Sequence, residues 1–347
     1  MHRDEEFHRI HVASADDVAR ILRDKELWTD PKKANEDAYI RLLINDRGDG
    51  SGEPSMLFLD DPDHAQLRKL LNAAFTPRAV EAMRPRARQI AEHLLDSVKE
   101  QEFDFMARVA GPYPTIVIAE MLGVDPAQRA DFKRRSDAAN DALLRAEVRK
   151  RRETASDDLI GAMVATEESG YSLTEDEIVQ PCNLLLIAGN ITTTDLIGNG
   201  LKALMDHRDQ WEALKTDPEL IKNAVEEMLR YDSPVTYSAR IANADREMRG
   251  CPIHKGESIC TALAAAKHDP ELNAEPERFD ITREGIRHHS FGGGRHFCLG
   301  APLARLEAQE LFAALIARLP NVKPGGEPPI YRAIPSFRGM REYWVQA

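Results

Sequence analysis

Along most of the chain, apolar residues recur at the three-and-four spacing that gives a helix one buried face. Ser14 precedes an acidic first turn, Asp16 and Asp17, and Val18, Ile21 and Leu22 share one side, so a helix is predicted there. Asp61 and Pro62 open a basic helix, DHAQLRKLLNAAF, with proline at its first position. Thr76 and Pro77 open another, which the pattern carries towards Lys99, and helical periodicity returns through 105–122 and after Pro126. Glu177 completes a capping box with Thr174, and from there one long helix is predicted to about residue 205. At about 1.5 Å per residue it would extend roughly 45 Å. Its middle, PCNLLLIAGNITTTDLIGNG, is apolar on most sides, as suits a helix through the centre of a protein. Asp217 and Pro218 start a further helix ending near Tyr231.

After Pro234 the pattern changes. Short alternating stretches at 236–242, 257–262 and 341–345 predict strands. An irregular stretch, 268–300, is rich in Pro, Gly and His, and loops of that length are usually functional. Residues 301–319 then predict a helix with Pro302 at its start and Leu303, Leu306, Leu311, Phe312, Leu315, Ile316 and Leu319 on its apolar face. The charged run RAEVRKRRETASDD, 145–158, reads as a solvated helix end and linker. There is no internal repeat. The expected fold is mainly α with small sheets.

Composition narrows the function. Of 347 residues, 42% are hydrophobic and 30% charged, enough for a sizeable core. Forty-six Lys and Arg against 58 Asp and Glu leave a net charge of −12, which argues against nucleic acid and against a polybasic membrane anchor. Four cysteines (182, 251, 260, 298) without a Cys-x-x-Cys pair are neither a disulfide framework nor a zinc ribbon, ferredoxin-type cluster or Cys-x-x-Cys-His haem attachment. The opening MHRDEEFHRI has no signal-peptide core and no apolar run approaches a membrane span, so a cytoplasmic protein is expected.

The chemistry concentrates in FGGGRHFCLGAPLARLEA, 291–308. Cys298 lies just before a predicted helix N-terminus, where the dipole and unpaired N–H groups favour a thiolate. Gly292, Gly293, Gly294 and Gly300 let the backbone turn tightly and approach a flat object. A lone thiolate with backbone donors suits an axial ligand to haem iron. A buried structural cysteine, or a zinc ligand beside His296, remains an alternative on these residues alone. A phosphate loop fits poorly, without a Walker lysine or G-x-G-x-x-G.

Phe291-x-x-Gly294-x-x-x-Cys298-x-Gly300 resembles the haem-binding loop of the cytochrome P450 monooxygenases, and further motifs match in order over about residues 8–345. The resemblance implies a single P450 domain over 1–347, a helical bundle with small sheets, and haem b between the long central helix and the cysteine loop. Cys298 would be the iron ligand, with Phe291, Gly292 and Gly300 shaping its loop. His64 and Arg68, at i, i+4 on one helical face, would approach the haem propionates together with Arg240 and His296. Glu227-x-x-Arg230 would form a buried network with Arg278 of Pro276-Glu277-Arg278-Phe279. Ala188-Gly189-Asn190-Ile191-Thr192-Thr193 looks like the oxygen-binding segment. There a hydroxyl can bend the helix into a local bulge or bond back to its own carbonyls.

Thr192 matches the threonine that helps protonate dioxygen. Ile191 departs from the family, which commonly has an acid there, so Asn190, Asp195 or ordered water is expected to substitute. Two further departures are implied: no usual N-terminal helix, and a stretch at 138–157 shorter than the family's pair of lid helices. The implied reaction inserts one atom of dioxygen into a small or medium apolar substrate, with electrons from NAD(P)H through a ferredoxin reductase and a ferredoxin. That partner would dock near Arg68, Lys69, Arg295 and Arg305. The pocket lining implied is 38–58, 185–192, 235–237 and 334–337. A monomer is expected. The competing readings are a peroxide-driven peroxygenase and a non-catalytic haem protein that binds small ligands.

Overall fold

The long helix runs Glu175–Asp206 in the computed structural model, which describes residues 1–41, 56–125, 137–165, 173–334 and 336–347. Its capping box forms as the sequence predicts: the Glu177 N–H donates to Thr174 Oγ1 (3.2 Å), and the Thr174 N–H to Glu177 Oε2 (2.8 Å). Contacts divide the chain into two compact units.

The first unit comprises Met1–Leu67, Val235–Arg278 and Gly285–Cys298. It is built on a four-stranded sheet in the order His2–Asp4, Arg9–Val12, Ser258–Thr261, Ser238–Ile241. Arg9–Val12 runs parallel to Ser258–Thr261, and the other pairings are antiparallel. Ile10, Val12 and Ile259 of the sheet pack with Val18, Ile21 and Leu22 of the helix Ala15–Arg23.

The second unit comprises Arg68–Pro234, Phe279–Glu284 and Leu299–Ala347. Its core gathers the central helix with Pro112–Met121, Ile221–Tyr231 and Ala301–Arg318, burying Val117, Met228, Leu311, Phe312 and Leu315. Close approach explains Gly198 and Gly200: a Cβ would overlap the sulfur of Met106 at the first and of Met228 at the second. A three-stranded sheet (Glu102–Asp104, Trp344–Gln346, Lys323–Pro324) and a hairpin (Ile330–Tyr331, Met340–Glu342) complete the unit.

Several expectations need correction. The helix opened by Thr76 is two helices, Pro77–Ala82 and Arg84–Ser97, because Pro85 cannot donate into a continuous ladder. The helix after Pro62 begins at Asp63. The strand expected at 341–345 is two strands divided at Tyr343. The charged run at 145–158 is a helix end and linker, as expected, with most of its residues exposed, but it is not solvated throughout. It largely belongs to the helix Asp137–Glu153, and Arg151 is buried, donating to Asp158 Oδ2 (2.8 Å) and Gly123 O (2.6 Å). Arg145 and Arg149 reach Glu175. Gly123 and Glu175 lie well outside the run, so a local window does not show these partners. Most of the helix expected after Pro126 lies outside the described residues. Among the described residues no helix is long and apolar enough to cross a membrane.

Candidate active site

In the first unit the glycines of the cysteine loop do different work. Gly292 (φ +70°) and Gly294 (φ +65°) occupy the left-handed region, and a Cβ at Gly294 would also overlap the Leu22 carbonyl oxygen. The loop is held by backbone bonds from Gly292 N–H to His289 O (2.8 Å), Phe297 N–H to Gly294 O (3.1 Å) and Cys298 N–H to Phe291 O (2.9 Å). It presents Phe297 and Cys298 at the surface. Cys182 and Cys260 are buried instead, and burial pushes each thiol up to about 12. Gly300 has an ordinary backbone conformation (φ −78°), so its lack of a side chain does not answer to strain.

Cationic side chains gather in the same unit. The His64 and His296 rings lie 4.1 Å apart, His64 is buried, and Thr29 Oγ1 is 3.1 Å from His296 Nε2. Burial, then the neighbouring His64, Arg240 and Arg295, push His296 down to about 3, so it is neutral at pH 7. Arg240 is 5% exposed. It donates from Nη1 to Ser238 Oγ (3.1 Å) and Ala239 O (2.8 Å), and no carboxylate among the described residues forms an ion pair with it. Burial, then Arg295, push it down to about 10, which leaves it charged. A buried guanidinium without a counter-charge is costly unless an anion arrives. Arg68 follows on the same helix as His64, half-buried and within the second unit.

Two residues of the expected docking patch, Arg295 and Arg305, are paired with carboxylates. Arg295 donates to Asp61 Oδ2 (3.2 Å), Asp60 Oδ1 (3.3 Å) and Leu27 O (2.6 Å), and Arg305 forks onto Glu226 (2.5 and 3.0 Å). Lys69 is exposed.

In the second unit, Glu227 and Arg230 have no exposed surface and pair through Arg230 Nε (2.7 Å) and Nη2 (2.9 Å). The further arginine is Arg283, whose Nε lies 3.3 Å from Glu227 Oε1, and the Asp280 N–H adds a bond of 2.9 Å. Arg278, expected in this role, has a side chain 60% exposed and faces Glu275 at 3.5 Å. The reason is a local turn: Asp280 Oδ1 accepts from the Thr282 N–H (2.9 Å) and hydroxyl (2.6 Å), and Asn223 Nδ2 holds the carbonyls of Ile281 and Arg283. The reversal brings Arg283 back to the carboxylate.

The central helix stays α-helical through Thr192, so the bulge considered from the sequence is not formed, and the Thr192 hydroxyl donates to Ala188 O (2.6 Å). Asn190 Oδ1 is 3.4 Å from Thr194 Oγ1, which also donates to Ala110 O (3.1 Å). Ile191 is 37% exposed, and a Cβ on Gly189 would meet nothing within 4 Å. Asp195 does not turn towards Thr192. Fully buried, it has both oxygens on Arg332, and burial against that opposing guanidinium pushes it up to about 6. The partner its carboxylate has in the second unit is therefore Arg332. Of the implied pocket lining, the Tyr39 and Tyr237 hydroxyls meet each other, whereas 42–55 and Pro335 lie outside the described residues.

The family model for cytochrome P450 matches residues 124–332. The chain belongs to the cytochrome P450 family. The polyketide biosynthesis cytochrome P450 PksS of Bacillus subtilis is 39% identical over 331 residues, 90% of this chain and 82% of that protein. A steroid C26-monooxygenase of Mycobacterium tuberculosis is 37% identical over 300 residues, 80% of this chain and 81% of its own length. Among solved structures, CYP109E1 from Bacillus megaterium in complex with corticosterone superposes at a TM-score of 0.89 with 32% identity, covering 99% of this chain and 94% of that one.

The P450 fold and its oxidoreductase class follow, and the P450 cofactor is haem b with a cysteine thiolate as axial ligand. The residues of this P450 fit that group: an exposed cysteine on a glycine-shaped loop, and a buried arginine awaiting an anion. Among the described residues no cluster of three or more His, Cys, Asp or Glu could hold a metal ion, so the zinc alternative gains nothing. Arg283 and Arg332 were missed in the sequence. The only local signal was the Asp-x-Thr turn before Arg283.

Proposed function

We propose that this P450 holds haem b through the Cys298 thiolate and transfers one atom of dioxygen to a C–H or C=C bond of a small or medium apolar substrate. The two electrons come from NAD(P)H through a ferredoxin reductase and a ferredoxin. The observation that carries the reading is that one unit holds both an exposed Cys298 and a buried Arg240 that makes no ion pair among the described residues. When bound, haem supplies the oxygen-activating chemistry. His64, Arg68, Arg240 and His296 hold its propionates, and Arg240 does so as a fixed positive charge. Phe291, Gly292 and Gly300 shape the loop that presents the sulfur.

Thr192 is the residue that orients a proton donor, its hydroxyl turning from Ala188 O towards water when one is present. Asn190 lies two residues before it and one turn from Thr194, whose hydroxyl is 3.4 Å from Asn190 Oδ1. Ile191 supplies no carboxylate at that position, so the proton reaches Thr192 through water or another polar neighbour. Of the terpene, alkyl-aromatic, steroid and macrolide classes an apolar pocket would suit, the names of the relatives, polyketide and steroid, support a steroid or macrolide. The chain would act as one P450 domain over 1–347, as a cytoplasmic monomer.

Peroxide-driven turnover is the second reading. It is favoured by one observation: no acid on this turn of the helix is available beside Thr192, since Ile191 replaces one and Asp195 is bound to Arg332. The test is the reduced, carbon-monoxide-treated haem protein. The far-red-displaced band of thiolate ligation is expected, and should be lost in Cys298→His. A wild-type spectrum without that band refutes the assignment of Cys298. Rates with peroxide that match those with ferredoxin and reductant would select the second reading.

A further inference from the structure

Asp195 is a buried carboxylate that the reaction as proposed does not use. It lies one turn beyond Thr192, and Arg332, just after the strand Ile330–Tyr331, takes both of its oxygens. A third residue fits into the pair. A Cβ at Gly339 would overlap the Asp195 carboxyl and the Arg332 guanidinium, and Gly339 is not in the left-handed region, so a side chain there would act by displacing the pair and not by backbone strain. The Arg332 N–H donates to Gly339 O (3.0 Å), closing a neck.

Four residues along the central helix, Asn199 Nδ2 makes a second attachment to Arg338 O (2.9 Å) and Asp232 O (3.1 Å). Arg338 in turn donates from its N–H to Pro234 O (2.7 Å) and from Nε to Asp232 Oδ1 (2.7 Å), and its guanidinium lies 4.8 Å from the centre of the Tyr331 ring. What this neck carries outward is apolar: Ile334 is 44% exposed, and the half-buried Phe337 donates its N–H to Ile334 O (3.1 Å).

We propose that Asp195 and Arg332 form a clamp that couples the central helix to the segment bearing Ile334 and Phe337. Asp195 thereby acts as a positioning residue for the bulk of apolar substrate accepted, and not as a proton donor. The inference rests on the substrate-oxidising reading above. The arrangement is all-or-none. Arg332 Nε is already buried without a hydrogen-bond partner, so loss of Asp195 leaves the guanidinium uncompensated and the neck must move. Packed elements respond to such a loss by shifting between discrete arrangements, which would carry Ile334 with them.

The test uses haem-loaded Asp195→Asn, Arg332→Gln, the double variant and Gly339→Ala, which keeps both charges but forces them apart. Amide hydrogen exchange over 330–339 reads the clamp without turnover. Each single variant should exchange there about tenfold faster or more, and the double variant, able to form an amide–amide bond, should recover part of the protection. Dissociation constants from the haem-band shift should change several-fold for polycyclic ligands and little for small alkyl-aromatics. Product formed per reductant consumed on a small ligand should hold.

Wild-type exchange in Asp195→Asn and in Gly339→Ala overturns the clamp. So does a fall in product per reductant with exchange and dissociation constants unchanged, since that is the signature of a relay. Absence of the thiolate band in the wild type would refute the role of Cys298 instead, and leave the exchange result to judge the clamp.

Discussion

The exchange of Arg278 for Arg283 in the buried network makes a quantitative prediction. Glu227 has no exposed surface and accepts four hydrogen bonds: two from Arg230, one from the Asp280 N–H and one from Arg283. The Arg283 side chain is 12% exposed. Its bond to Glu227 is long, so Arg283→Ala removes one charge-assisted hydrogen bond near the low end of its range, together with the packing of its stem. The expected cost is about 2 kcal/mol. Arg278 has a side chain 60% exposed, so Arg278→Ala should cost less than Arg283→Ala.

Glu227→Gln is the severe case. It leaves Arg230, itself without exposed surface, lacking a counter-charge, which costs about 3–5 kcal/mol. The assay is urea unfolding of the haem-loaded proteins, followed by far-ultraviolet circular dichroism and by the haem band, with slopes compared so that midpoints convert to free energies. The expected order of stability is wild type close to Arg278→Ala, then Arg283→Ala, then Glu227→Gln. Equal losses for the two arginine variants, or a larger loss for Arg278→Ala, would refute the assignment of Arg283.

Three further outcomes follow from the same geometry. Gly294→Ala should lose more than about 2 kcal/mol, since strain at positive φ adds to overlap with the Leu22 carbonyl, whereas Gly250→Ala, at φ +75° in open space, should lose about 1 kcal/mol; similar midpoints in a urea melt would contradict this. Gly189→Ala should stabilise the chain by about 0.5–1 kcal/mol through helix propensity, because its Cβ meets nothing, and should weaken ligand binding if that open face receives substrate; a destabilised variant would refute the packing. Asp195, raised from an ordinary 3.8 to about 6, holds its proton more tightly folded than unfolded, so its contribution is present below pH 4 and lost as pH rises through 6; Arg332 is the charge facing it, while Arg338 and Asp232 pair with each other. The stability difference between wild type and Asp195→Asn should therefore shift against the wild type by about 2 kcal/mol between pH 4 and pH 7, and a flat difference would refute the raised value.

Much of this P450 was legible in the chain itself, and the reason is locality. The central helix follows from a capping box and an apolar run contained in one segment. The cysteine loop follows from glycines whose backbone angles depend on their own neighbours. The strands around Arg240 follow from a period of two.

What the sequence could not determine depends on partners distant along the chain. Arg151 reads as solvated until the Gly123 carbonyl, 28 residues away, is folded against it. Arg278 and Arg283 are five residues apart and chemically identical, and only the turn at Asp280, pinned by Asn223 from another helix, decides which one meets Glu227. Asp195 sits on the right turn of the right helix to serve Thr192, yet its carboxylate goes to Arg332, 137 residues away in sequence. A residue's chemistry is written in its type, but its charge state and its job are set by whichever group meets it in a low-dielectric interior, and that choice is made only by tertiary packing.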